Sequence, residues 1–150
     1  MEKKALDLIV RDGQKLAEKR SWLEKGYQDL LTAINAELVK IPDMPESEID
    51  FEIKKWSSET HHGDKQINSL VISLIFTGDA FIRMDRNWTD VYSGDKNYEI
   101  INRPSISKIR LFASKIGEAM VYFLEEINRR NDENQKAIDT IGGILRKLAS

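Results

Sequence analysis

The sequence predicts an α+β fold: a long N-terminal helix, a central antiparallel β-meander of three to five strands, and one or two long C-terminal helices. Three observations carry it. Apolar residues recur at helical 3-4 spacing at both ends of the chain. The middle is rich in β-branched and aromatic residues, broken by glycine turns. The 150 residues amount to one domain and are too few for two full cores. The expected division of this single domain, 1–150, is a helix over 1–41, the sheet over 46–102, and a helix or helices over 103–149.

The first stripe runs Leu6, Ile9, Gly13, Leu16, Arg20, Leu23, Tyr27, Leu30, Ile34, apolar at seven of nine positions and of coiled-coil type. Val10, Ala17, Leu31 and Leu38 widen it. No proline interrupts before Pro42, so Lys3 to Lys40 reads as one helix, and Gly13 or Gly26 could mark a bend at a cost of roughly 1 kcal/mol each. Ile41-Pro42-Asp43-Met44-Pro45 ends it, because proline disfavours helix at its own position and just before.

In the middle, Phe51 to Trp56 starts with strand alternation and loses phase at Lys55. Thr60 to Lys65 reads as a turn, and Ile67 to Thr77 as the central strand, being β-branched and nearly all apolar. Gly78-Asp79 is a two-residue hairpin signal, returning through Ala80 to Met84. Trp88–Tyr92 and Tyr98–Ile101 are read as separate pieces, joined by the turn Ser93 to Asn97. Beyond it, Asn102, Pro104 and Ser105 make a helix start. Its stripe is Ile109, Phe112, Ile116, Ala119, Phe123, Ile127, with Met120 and Leu124 alongside. Polar Asn128 to Gln135 interrupts the stripe, and Ala137, Ile138, Ile141, Leu145 and Leu148 resume it.

Charge narrows the function classes. The net −2 divides into +1 over residues 1–40, −5 over 41–103 and +2 over 104–150. A nucleic-acid binder concentrates its basic residues, since neutralised phosphates supply much of the affinity. Here acids interleave every basic cluster, so nucleic acid is an unlikely partner. The chain has no cysteine, hence no disulfide and no thiolate metal site. Its start lacks the apolar core of a signal peptide, and no run approaches the roughly 18 apolar residues that cross a bilayer. A cytoplasmic location without membrane contact is the expectation.

The predicted first helix would be about 57 Å long, whereas a 150-residue domain has a diameter of roughly 38 Å. One small sheet cannot cover it. Either it bends at a glycine, or it pairs with the C-terminal helix as an antiparallel hairpin, or another chain covers it. The expected helical interface consists of Leu16, Leu23, Tyr27, Leu30 and Ile34, with Ile116, Phe123 and Ile127 as their partners from the same chain or another.

Chemistry finds little support. His61-His62, with Glu59 and Asp64, is the only cluster of metal-ligand types. Neighbouring strand residues point to opposite faces, and no third histidine exists, so a solvated loop is the better reading. No Gly-x-Ser-x-Gly elbow, P-loop or dinucleotide fingerprint occurs. Asp79, Asp85, Asp90, Asp95 and Glu99 lie near the sheet, mostly at turns, where aspartate bonds its own backbone. Neither catalytic residues nor a cofactor nor a metal is expected. Trp56, Phe81, Trp88, Tyr92 and Tyr98, among Lys54, Lys55, Arg83 and Arg86, suit a half-buried sheet face. Of these, Trp56, Trp88, Tyr92 and Tyr98 could form a partner-binding surface, since such residues dominate hot spots.

The order long helix, short antiparallel sheet, long helix resembles small nucleoid-associated dimers and some small secretion chaperones, in topology alone and with no shared motif. The expectation is a small non-enzymatic protein–protein interaction module (adaptor, chaperone, assembly factor or inhibitor). It would self-associate as a homo-oligomer and bind another protein. One alternative is a nucleic-acid-binding accessory protein using the aromatic and basic sheet face. Another is a small enzyme with its site near His61 and His62.

Overall fold

Proline and glycine punctuate the chain where its elements end. In the computed structural model, which describes residues 1–45 and 47–150, helix α1 spans Glu2–Leu38 and strands β1 to β4 span Glu48–Glu59, Lys65–Ile75, Phe81–Asp90 and Lys96–Ile100. Helix α2 spans Ile106–Ala149. Glu46, where the sheet region was expected to begin, lies outside the described residues. The strands form one antiparallel sheet in the order β1-β2-β3-β4. This is the expected α+β arrangement, with four strands and a single C-terminal helix.

Cross-strand register decides which residues share a face, since directly paired residues point the same way. The rows Ile49–Leu74–Ile82 and Phe51–Ile72–Met84 make one face apolar. Both helices lie on it, giving two layers around one core. The seated part of α1 presents Leu23, Tyr27, Leu31, Ile34 and Leu38. From α2 come Ile109, Phe112, Ile116, Ala119, Phe123 and Ile127. The helices meet where the Tyr27 ring stands edge-on to Phe112, with centroids 5.0 Å apart.

From that contact both helices run toward the same end of the sheet. Asn35 reaches Ile82 and Arg130 reaches the Glu48 carbonyl, and this end is where Glu48, Ile75 and Phe81 are in register. Asn35 also finishes the β3 edge. Strand β4 has five residues and pairs only with Asp85 to Thr89, which leaves Ile82 without a strand partner on that side. The Asn35 amide supplies one: its Oδ1 accepts from the Ile82 N–H at 2.8 Å and its Nδ2 donates to the Ile82 carbonyl at 3.4 Å.

Three details depart from the sequence expectation. The loss of phase in β1 is a bulge between Glu52 and Lys54, after which the strand continues to Glu59. The pieces Ala80–Met84 and Trp88–Tyr92 are one strand up to Asp90, because the polar Asp85, Arg86 and Asn87 between them are accommodated: Asp85 pairs with Arg83, and Arg86 bonds Asn68. The β2–β3 connection is longer than two residues, running from Phe76 to Ala80, with Gly78 at φ +73° and its N–H donating to Asp43. Both helices are unbroken, as the reading of Lys3 to Lys40 as one helix expects: α1 is helical through Gly13 and Gly26, and α2 is a single helix through the polar stretch. There Arg129 pairs with Glu126 and Glu133, and Arg130 with Glu126, the i, i+3 and i, i+4 contacts that support a helix with no apolar stripe to bury.

Candidate functional site

Both helices outrun the sheet. At 1.5 Å per residue, α1 is about 55 Å long and α2 about 66 Å. Every residue from Met1 to Trp22 is exposed, and from Asn131 to Ser150 only the glycines Gly142 and Gly143 are less than fully so. These two overhangs touch neither the core nor each other. Since both helices run toward the Glu48 end, the N-terminal overhang of α1 leaves the body in the opposite sense to the C-terminal overhang of α2. The antiparallel hairpin within one chain is therefore not formed over these segments.

The overhangs carry the same kind of apolar stripe as the seated halves. On α1 it comprises Leu6, Ile9, Val10 and Leu16, the last 71% exposed. On α2 it comprises Ile138, Ile141, Ile144, Leu145 and Leu148, the last 79% exposed. Their spacing keeps each set on one face. Of the eight expected interface residues, Leu16 and Leu30 are exposed, while Tyr27 and Phe123 are buried in the core, with Leu23, Ile34, Ile116 and Ile127 packed against it. The Tyr27 hydroxyl has no hydrogen-bond partner among the described residues, and burial pushes its pKa up to about 12. Leu6, Ile9 and the 138–148 stripe are legible as periodic, but local period alone does not tell which part of a stripe the same chain covers.

The sheet face opposite the helices is polar. The rows Asp50–Ser73–Arg83 and Glu52–Val71–Asp85 lie on it, and an open groove of about 550 Å³ runs past Glu48, Asp50, Arg83, Asp85, Lys96 and Tyr98. Asp85 is buried, with Arg83 Nε 2.9 Å from its Oδ1. Burial raises the Asp85 pKa against the pull of Arg83, and burial with the nearby Asp50 raises that of Glu48. No group of three or more histidine, cysteine, aspartate or glutamate side chains suited to a metal occurs among the described residues.

The aromatic set does not form one surface. Trp56, Asn68 and Trp88 share a row on the helix-bearing face, where Lys54 lies 5.5 Å from the Trp56 ring and Arg86 4.6 Å from the Trp88 ring. Arg86 Nη2 donates to Asn68 at 2.8 Å, so its charge is already engaged. Tyr98, paired with Asn87, faces the opposite way, beside Arg83. Tyr92 is exposed in the turn after β3. His61 and His62 are exposed at the β1–β2 turn.

No family model matches the chain, and neither a curated protein nor a solved structure matches it significantly. The topological likeness to nucleoid-associated dimers and secretion chaperones therefore carries no argument. Among the described residues, no helix is long and apolar enough to cross a membrane.

Proposed function

We propose that this chain is a small, non-enzymatic protein-interaction module that self-associates through its long helices. The observation that carries this reading is the pair of uncovered overhangs with continuous apolar faces. An isolated helix draws little stability from propensity, and the overhangs include Gly13, Gly142 and Gly143, each costing roughly 1 kcal/mol. Fully covering the nine large apolar side chains of the two stripes would contribute roughly 13–27 kcal/mol gross, at about 1.5–3 each. Association costs about 4–15 kcal/mol. Covering these faces therefore favours association. Within one chain the two helices meet in their seated halves, at Tyr27 and Phe112, and the overhangs stay exposed.

Light scattering behind a sizing column tests the reading. The wild type is expected at the mass of a dimer or larger. Ile141→Asp with Leu145→Asp, which touches no core residue, is expected to elute as a folded monomer. A wild-type monomer at every working concentration would refute the proposal.

A further inference from the structure

Resting on that self-association, we infer that the partner of each α1 overhang is the α2 overhang of a second copy, in an antiparallel, exchanged arrangement that pairs α1 with α2 twice in one closed dimer. Direction is the first argument. The overhangs leave the body in opposite senses, so a two-fold rotation that sets two bodies side by side lays α1 of one chain along α2 of the other at both ends. A two-fold pair is the commonest closed assembly, and here it makes the helices antiparallel. Length is the second: the overhangs are about 33 Å and 28 Å long, so neither leaves a long uncovered remainder.

Register is the third argument. Antiparallel coiled helices pack each heptad a position against a d position of the partner. Setting Leu16 opposite Ile138 places Ile9 opposite Leu145 and Leu6 opposite Leu148. The same alignment brings the polar Arg20 of the α1 stripe opposite polar Asn134. Sliding by one heptad in one direction drives Arg20 against Ile141, and in the other sets Leu16 against Asn131. Of the three, only the first alignment sets no polar side chain of one stripe against an apolar residue of the other; its one unfilled layer is Gly13 opposite Ile141. Charge agrees with it. Residues 11–20 of α1 carry four basic and two acidic side chains, while residues 131–139 of α2 carry three acidic and one basic. A parallel pairing would instead bring the basic part of α1 toward Arg146 and Lys147.

The chain contains no cysteine, which permits a direct test. Two single-cysteine versions of the full chain, Ala17→Cys and Gln135→Cys, are made at exposed positions flanking the stripes. They are mixed, allowed to exchange subunits, and treated with a short bismaleimide. The inference predicts a covalent dimer in the mixture at least ten times more abundant than in either version alone. If the masses are dimeric but the mixture links no better than its components, the exchanged arrangement is wrong while self-association stands. A Thr140→Cys version linking to itself would then show α2 paired with α2. Should every version be monomeric by light scattering, the inference falls together with the reading beneath it.

Discussion

Leu16 and Leu23 lie one heptad apart on the same stripe of the same helix, yet Leu23 packs against the core while Leu16 is 71% exposed. The same contrast divides α2, where Phe123 is buried and Leu145 is exposed. Nothing in the local sequence marks the change. What changes is the support beneath: the seated halves rest on the rows through Leu74 and Ile72, and the overhangs begin where that support stops. A periodic stripe therefore states which face of a helix wants cover, and only the tertiary structure states whether the same chain supplies it.

Substitutions on the two sides of that boundary should behave differently. The largest effect belongs to the seated half. Phe112→Ala, at a fully buried ring against Tyr27, is expected to cost about 3–5 kcal/mol in urea unfolding. Leu16→Ala, measured at a concentration low enough to keep the chain monomeric, should change stability by less than about 0.5 kcal/mol. Comparable losses in the two would erase the distinction.

Asn35→Leu should cost about 1–3 kcal/mol by the same assay, since it strips both edge bonds from Ile82 without exposing that backbone to water. Full stability in this variant would mean that the β3 edge needs no cap. On the polar face, Arg83→Ala should destabilise by about 1–3 kcal/mol at neutral pH by leaving the buried Asp85 carboxylate unpaired. The folded-state pKa of Asp85 is raised, so holding it ionised costs the fold stability at neutral pH, and that cost disappears as pH falls through the folded value. The Arg83→Ala deficit should shrink accordingly toward about pH 4, near the unfolded aspartate value. A deficit that does not vary with pH would point to lost packing instead of charge.

The smallest effect sharpens the picture of the overhang itself. Gly143 lies off the apolar stripe with open space around it, so Gly143→Ala should add up to about 1 kcal/mol of helix stability. It would be read as increased helicity by circular dichroism on heating.

Much of the fold was legible. The stripes through Tyr27 and Phe112, the apolar run over Ile67 to Thr77 and the Ser105 helix start each rest on local periodicity or capping, and Ser105 Oγ does accept from the Lys108 N–H. The misreadings arose where long-range contacts compensate for local sequence. Asp85 and Arg86 break a strand pattern on paper, but Arg86 bonds the cross-strand Asn68 and Asp85 is paired with the neighbouring Arg83. The sheet aromatics read as one surface because the sequence shows them together, whereas register sends Trp88 and Tyr98 to opposite faces. The candidate interface was half legible. Its period is visible from Leu6 to Ile34, but the place where α1 leaves the core, between Trp22 and Leu23, is a fact of tertiary structure.

The account rests on the overhangs being covered by another copy, and amide hydrogen exchange over a series of protein concentrations tests this most directly. Amides from Leu6 to Arg20 and from Ile138 to Leu148 should gain protection as concentration rises, in step with the mass, while those from Ile109 to Phe123 stay equally protected throughout. Overhang amides that exchange at one unchanging rate across the whole series would contradict it.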